Sequence, residues 1–330
     1  MFDKMAYRCV LIILLFNNLY FSSAAAHGHS VDNLERESDG SYRSRDHEHY
    51  GDSGHNTEFD HEAILGSVKE SEEFDRLSPE EAKRRLALML PKMDLNNDQN
   101  IDRIELKKWI LNSFVKLSRE EAEERMSEAD ENRDGSVTWS EYLQDAFGVD
   151  TEEEVGPEDT GDSGMVRLLQ EEKAMWSVAD KNGDGKLNLD EFEVFTNPEE
   201  HSEMHEFLVQ QALREKDANR DGSVDFSEFI GDRGSQQDKA WVVAEKDKFD
   251  HELDLNGDGT LDAAEVRAWV IPDNEEIADE EVEHLFASAD DDHDNVLSFE
   301  EVLRHHDVFV GSEASDAARD LLGEHFDDEL

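Results

Sequence analysis

Asp254-Leu255-Asn256-Gly257-Asp258-Gly259-Thr260-Leu261-Asp262-Ala263-Ala264-Glu265 is the stretch on which the reading of this chain turns. Oxygen-bearing side chains stand at its positions 1, 3, 5, 7, 9 and 12, glycine at 6 and leucine at 8. The same twelve-residue pattern begins at Asp94, Asp130, Asp180, Asp217 and Asp290, so six copies follow one another at steps of 36, 50, 37, 37 and 36 residues. Each copy lies between segments whose apolar residues recur at helical spacing, such as Leu86, Met89, Leu90 and Met93, or Trp109, Ile110 and Phe114.

Such a pattern answers the needs of Ca²⁺, which takes about six to eight oxygens at about 2.3 to 2.6 Å. A tight loop must aim positions 1, 3, 5, 7, 9 and 12 inward. Position 12 is Glu because its longer arm reaches back from the exiting helix with both oxygens, whereas position 7 gives only its carbonyl. Position 8 is apolar because paired loops meet there as short strands. In the first loop the stations are Asp94, Asn96, Asp98, Asn100, Asp102 and Glu105; in the second Asp130, Asn132, Asp134, Ser136, Thr138 and Glu141. The third has Asp180, Asn182, Asp184, Lys186, Asn188 and Glu191, and the fourth Asp217, Asn219, Asp221, Ser223, Asp225 and Glu228. The fifth has Asp254, Asn256, Asp258, Thr260, Asp262 and Glu265, and the sixth Asp290, Asp292, Asp294, Val296, Ser298 and Glu301. One match in so acidic a chain would be a solvated turn; six complete matches at near-equal spacing point to as many as six bound Ca²⁺.

The loops are not equivalent. Position 6 is Gly135, Gly185, Gly222 and Gly259 in the middle four, but Gln99 in the first and Asn295 in the last. The turn there wants positive φ, which Asn tolerates and Gln adopts at a cost of about 1 to 2 kcal/mol. The first loop is therefore expected to be the weakest, and Pro91 to distort the helix entering it.

Ser78-Pro79-Glu80-Glu81 and Ser118-Arg119-Glu120-Glu121 read as capping boxes, and Asn197-Pro198-Glu199-Glu200 as a similar helix start. The fold class is all-α: six EF-hand helix-loop-helix motifs in three pairs, with short β contacts within paired loops. The spacing suggests that loops pair in sequence order. The expected organisation is a signal peptide over 1–26, a His-containing and largely disordered segment over 27–77, and a first pair over 78–150 (loops 94–105 and 130–141). An acidic linker over 151–164 follows, then a second pair over 165–232 (loops 180–191 and 217–228). A third pair covers 233–310 (loops 254–265 and 290–301), and 311–330 is an acidic tail.

Composition agrees with this reading. Among 330 residues, 32 Lys and Arg face 85 Asp and Glu, a net charge of −53. Such a field disfavours nucleic acid and anionic membrane surfaces and attracts cations. Met1 to Ala26 carries Lys4 and Arg8, the apolar run Cys9 to Phe16 and a small-residue end at Ala24-Ala25-Ala26, the pattern of a cleaved secretory signal. Cleavage would remove Cys9, the one cysteine, and with it disulfides, thiolate-bound zinc and cysteine catalysis. No later segment is suited to span a membrane. The end, Asp327-Asp328-Glu329-Leu330, is like a luminal retrieval signal but has Asp in place of Lys or His, so retention is expected and passage to the Golgi or outside is compatible with it.

His27, His29, His47, His49, His55 and His61 cluster in a stretch with few apolar residues that reads as disordered up to about Thr57. They are zinc or copper candidates without an ordered spacing. His201 and His205 stand one turn apart, but with Glu203 between them the order is not that of a zinc protease, and a surface helix is the better reading. Nucleophile elbow, phosphate loop and dinucleotide fingerprint are all missing, so no enzyme class is supported.

Outside the loops stand Phe59-Asp60-His61-Glu62-Ala63-Ile64-Leu65-Gly66, Phe74-Asp75-Arg76-Leu77-Ser78-Pro79-Glu80-Glu81, Trp269-Val270-Ile271-Pro272 and Val308-Phe309-Val310-Gly311-Ser312-Glu313-Ala314. With these, the chain from about Glu58 onward resembles the reticulocalbin and calumenin family of multiple EF-hand proteins. The resemblance implies a soluble calcium-binding protein of the endoplasmic reticulum and secretory pathway, of modest affinity, with calcium-dependent contacts to client or regulatory proteins. Asp327 and Gln99 depart from the family pattern. The leading expectation is a luminal calcium buffer with calcium-stabilised surfaces. The rivals are a calmodulin-like sensor, which the scattered Met89, Met93, Met126, Met165, Met175 and Met204 do not favour, and a calcium-dependent chaperone or regulator of a luminal enzyme.

Overall fold

The computed structural model describes residues 36–312 apart from 38, 48, 52–53 and 153–163. The leader over 1–26, His27, His29, most of the acidic linker and the Asp-Asp-Glu-Leu end lie outside these residues. The described chain is helical, with two- and three-residue strands at the calcium loops and in one hairpin before the helix Thr57–Leu65.

Three helices precede the first loop: α1 (Thr57–Leu65), α2 (Val68–Asp75) and α3 (Pro79–Met93). Ser78 caps α3 as expected, its hydroxyl accepting the Glu81 N–H. Pro91 does not break the helix: α3 runs through it to Met93, and the Asp94 N–H still reaches the Leu90 carbonyl at 3.0 Å. After the first loop comes α4 (Arg103–Ala129), 27 residues without glycine or proline, about 40 Å long at 1.5 Å per residue. The expected helix start at Ser118 is absent. Ser118 is buried in the middle of α4, and its hydroxyl donates to the Phe114 carbonyl one turn back at 3.0 Å. Such back-bonding is the other use of serine in helices, and the sequence pattern does not separate it from a cap.

That single rod corrects the expected pairing, because it holds the first and second loops at opposite ends. The first loop meets the sixth instead: β3 (Asn100–Ile101) lies antiparallel to β8 (Leu297–Ser298), with Ile101 opposite Leu297. Loop two pairs with three through β4 (Ser136–Thr138) and β5 (Lys186–Asn188), Val137 opposite Leu187. Loop four pairs with five through β6 (Val224–Asp225) and β7 (Thr260–Leu261), Val224 opposite Leu261. Position 8 faces position 8 each time, so the reason given for its apolar character holds while the partners differ.

Each pair sits on its own core. The 1/6 lobe buries Leu86, Leu90, Ile110, Phe114, Leu285 and Phe309; the 2/3 lobe Met126, Tyr142, Trp176, Phe192, Phe195 and Met204; the 4/5 lobe Tyr42, Leu208, Phe229, Phe249, Val266 and Trp269. Shared helices join the 1/6 lobe to the 2/3 lobe and that lobe to the 4/5 lobe, and the short turn between Val270 and Asn274 completes the ring. The first half of α4 belongs to the 1/6 core and its end, Met126 and Ala129, to the 2/3 core. The helix Ser202–Lys216 gives Met204 to the 2/3 core and Leu208, Val209 and Ala212 to the 4/5 core. The expected start at Asn197 is a 3₁₀ turn over Pro198–Glu200, and buried Asn197 donates its amide to the Ser118 carbonyl. Ala263–Val270 then packs in the 4/5 core and Asn274–Ala289 in the 1/6 core.

Residues 36–75, expected to be largely disordered, are built into this ring where they are described. Tyr42 is buried in the 4/5 core and donates its N–H to the Val270 carbonyl at 2.9 Å. A hairpin, β1 (Tyr50–Gly51) and β2 (Gly54–His55), leads into α1. Polar composition hid this, because the arm before α1 is held by one aromatic anchor, a backbone bond and ion pairs such as Lys248–Asp39 and Arg45–Glu200 rather than by an apolar face. The Phe59 to Gly66 motif docks α1. His61 Nε2 meets the Asp307 carbonyl at 3.0 Å, Trp109 Nε1 donates to the Ile64 carbonyl at 2.7 Å, and Gly66 (φ 67°) lies where a Cβ would come within 3.1 Å of the Ser113 backbone. Among the described residues no helix is long and apolar enough to cross a membrane.

Candidate calcium centres

All six loops share one hydrogen-bonded frame. The Asp at position 1 (Asp94, Asp130, Asp180, Asp217, Asp254, Asp290) ends the entering helix. Its Oδ2 accepts the N–H of position 6 at 2.8 to 3.1 Å. The carboxylate at position 5 accepts the N–H of position 7, from Asn100, Ser136, Lys186, Ser223, Thr260 and Val296, at 2.9 to 3.0 Å. At position 3, Asn96, Asn182, Asn219, Asn256 and Asp292 accept the N–H of position 5. Asn132 instead donates its side-chain amide to Glu141 at 2.6 Å.

Position 12 closes the frame. Glu105, Glu141, Glu191, Glu228, Glu265 and Glu301 each occupy the third position of the exiting helix in a capping box with position 9, whose N–H each accepts at 2.9 to 3.2 Å. The other carboxylate oxygen folds back over the loop to the N–H of position 2 or 3, from Asn96, Asn132, Asn182, Asn219, Asn256 and Asp291. The helix-capping signal and the metal-ligand signal are thus the same pair of residues, which is why this spacing is so legible. In the sixth loop, carboxylate oxygens of Asp290, Asp292 and Asp294 lie within 4.8 Å of one another.

Several of these carboxylates are held in the charged form that a cation needs. Hydrogen bonds from Ser223 lower Asp221, and those from Thr260 lower Asp258. Partial burial would raise Glu141 and Glu301, but N–H and O–H donors at Thr138 and Ser298 outweigh it and lower both.

Position 6 has positive φ in every loop, as expected: Gln99 69°, Gly135 82°, Gly185 84°, Gly222 90°, Gly259 89° and Asn295 65°. Sequence reasoning missed a second such station at position 4, where Asn97, Arg133, Arg220 and His293 adopt φ of 59° to 63° beside Gly183 and Gly257. Gly183 and Gly257 in the third and fifth loops and Asn97 in the first were its trace in the sequence.

The EF-hand domain pair family matches residues 83–146, 171–231 and 246–305. Those windows follow adjacency along the chain, whereas the strand contacts join neighbouring windows and, through loops one and six, the first to the last. Reticulocalbin-2 of Mus musculus is 37% identical over 284 residues, covering 84% of this chain and 89% of the mouse protein. Reticulocalbin-2 of Crotalus adamanteus is 37% identical over 278 residues, 82% of this chain and 91% of the snake protein. The chain belongs to the reticulocalbin family. As a member of that family with EF-hand repeats it binds calcium.

The histidines divide. His27 and His29 lie outside the described residues; His47 contacts Glu37 at 2.8 Å, and His61 holds α1 to the Asp307 carbonyl. His205 bonds the Glu199 carbonyl and Arg267, and its helix, Ser202–Lys216, is shared by two cores rather than being the surface helix expected. His49 and His55 come together with two residues that the sequence did not connect to them, Asp60 and His284.

Proposed function

We propose that this reticulocalbin family member is a low-affinity, multi-site calcium buffer of the endoplasmic reticulum lumen and secretory pathway, without enzymatic activity. Its calcium-loaded form binds client or regulatory proteins. The observation that carries the reading is the single frame repeated in all six loops, each joining the Asp at position 1 to the Glu at position 12. The Asp, Asn, Ser, Thr and Glu side chains of that frame, with the carbonyls of position 7, are the ligands of up to six Ca²⁺. The leader-like start and retrieval-like end support a luminal address.

Calcium links the ends of each loop, paired loops share a core, and the cores share helices, so loading the loops tightens the whole ring. Loops one, four, five and six bring four side-chain carboxylates together and loops two and three bring three, a repulsion that the ion relieves. Small-angle scattering is expected to give a smaller radius with calcium than without; equal radii would remove this mechanism. Burial of Met93 in the 1/6 core and of Met126 and Met204 in the 2/3 core disfavours a sensor that opens one adaptable methionine-rich groove.

The deciding experiment is a calorimetric Ca²⁺ titration of the mature chain in physiological salt and Mg²⁺. Sites filling at roughly 10⁻⁴ to 10⁻³ M support the buffer. Filling at roughly 10⁻⁷ to 10⁻⁵ M would mark sensor-grade sites and reject it.

A further inference from the structure

Away from the calcium loops, the arm before α1 folds back over the helix that enters loop six, and three imidazoles meet one carboxylate there. His49 follows the turn ahead of the β1–β2 hairpin, His55 ends β2, Asp60 lies in the first turn of α1, and His284 projects from Asn274–Ala289. His49 Nε2 is 2.7 Å from Asp60 Oδ1 and 3.0 Å from His55 Nε2. His55 Nε2 is 3.1 Å and His284 Nε2 3.5 Å from Asp60 Oδ2. One atom from each residue falls within 4.8 Å of every other.

We propose that His49, His55, Asp60 and His284 form a four-coordinate Zn²⁺ site that clamps the N-terminal arm onto the helix entering loop six.

Three features carry the assignment. First, the spacing is that of a ligand set: bonds of about 2.0 to 2.1 Å to a tetrahedral ion place its ligands about 3.3 to 3.4 Å apart, inside the span of the distances here. All three imidazoles present the same ring nitrogen. Second, the donors are wrong for Ca²⁺, which needs a shell of hard oxygens, and right for a borderline cation served by imidazole and a single carboxylate. Three imidazoles and one carboxylate without thiolate or thioether are a donor set that four-coordinate Zn²⁺ takes. Third, the site is built into the fold. Asp60 is 0% and His49 4% exposed, while His55 at 30% and His284 at 21% leave a way in from solvent.

A second buried carboxyl group backs the cluster. Glu281, one turn before His284 on the same helix, is 1% exposed, and neither of its oxygens has a hydrogen-bond partner among the described residues. Its Oε2 lies 3.8 Å from His49 Nε2. Buried polar groups without partners are rare and call for a reason; a divalent cation beside Glu281 supplies one.

The test uses the full mature chain with Ca²⁺ in excess, so that the EF-hand loops are occupied, and ZnCl₂ as titrant against a chromophoric chelator. One equivalent of Zn²⁺ is expected to bind and to resist the excess calcium. Co²⁺ in its place is expected to give the visible absorption of a tetrahedral complex. His55→Ala and His284→Ala should each weaken Zn²⁺ at least about 10- to 100-fold with helical content and calcium stoichiometry unchanged. His47→Ala, outside the cluster, should bind as the parent does. No binding at micromolar Zn²⁺ would overturn the proposal, because the four groups would then be a hydrogen-bonded cluster only. Binding that survives both His55→Ala and His284→Ala would overturn it too, by placing the ion on other histidines. Partly exposed His55 is the variant least able to disturb the fold, so unfolding of His284→Ala does not remove the test.

Discussion

The 1/6 loop pair and the 4/5 loop pair use the same frame and are built at different cost. Between Val224 and Leu261 the chain travels 37 residues before its strands meet; between Ile101 and Leu297 it travels 196. Loop closure grows only logarithmically, so this difference is worth about 1.5 kcal/mol. The left-handed stations add to it. In the 4/5 pair three of the four are glycine, with Arg220 the exception, whereas the 1/6 pair places Asn97, Gln99, His293 and Asn295 there. The pair that closes the ring is therefore the strained one, and it is held by its core and by α4 rather than by favourable loops. Where a repeat is least ideal in sequence, long-range packing has taken over its support.

Breaking α4 should separate the two pairs most sharply. Val115, 62% exposed near the middle of the rod, can become proline without loss of core volume, and Val115→Pro is expected to cost more than about 3 kcal/mol in urea unfolding. Calcium binding at loops one and six should weaken while loops four and five are spared. Ile101→Ala removes a buried side chain at the closing contact and should cost about 2 kcal/mol or more. Amide resonances at position 6 should then report weaker calcium at loops one and six together. A linked loss at loop two instead would restore pairing in sequence order.

The arm gives a pH-dependent handle on the 4/5 lobe. Burial would raise the Asp39 carboxyl, but Ser41 and Lys248 donate to it and hold it at about 2, below the usual 3.8. Its stabilisation is present above about pH 4 and lost as pH falls through about 2, a total of about 2 kcal/mol. The parent should lose that margin over Asp39→Asn between those pH values in chemical unfolding. Smaller still, Gln99→Gly should tighten loop one about tenfold by removing about 1 to 2 kcal/mol of backbone cost, with a lesser gain from Asn295→Gly. Site-resolved titration reads both, and no gain would show that α4 and the core already absorb the strain. The smallest effect belongs to Lys186, whose Nζ lies 3.8 Å from the loop-two ligand Asp134 with both groups well exposed. Lys186→Thr should strengthen calcium at loop two by only about 0.2 to 0.5 kcal/mol.

The loops could be read from sequence because coordination fixes residue type and spacing within twelve positions, and the capping box at 9 and 12 repeats the same information. The pairing could not. Ile101, Val137, Leu187, Val224, Leu261 and Leu297 are equivalent as apolar strand residues, and nothing local tells one partner from another. The decisive fact, a 27-residue helix without a breaker, was present in the sequence but was masked by Ser118, whose pattern fits a helix start as well as a back-bonded interior serine. The histidine cluster was half visible. His49 and His55 stood out by composition, but His284 lies more than two hundred residues further on and carries no signal until the arm is folded against its helix.

Pairing the first loop with the last also sets an order on biosynthesis. Leu86, Ile110 and Phe114 emerge early, yet the residues that cover them, among them Val282, Leu285 and Phe309, are among the last of the described chain to be made. At about 5 to 20 residues per second, the 196 residues between Ile101 and Leu297 represent a wait on the order of 10 to 40 s. During that interval the 2/3 and 4/5 lobes can complete their own loop contacts while the amino-terminal lobe stands open, its apolar face in need of protection until the carboxy-terminal hand arrives.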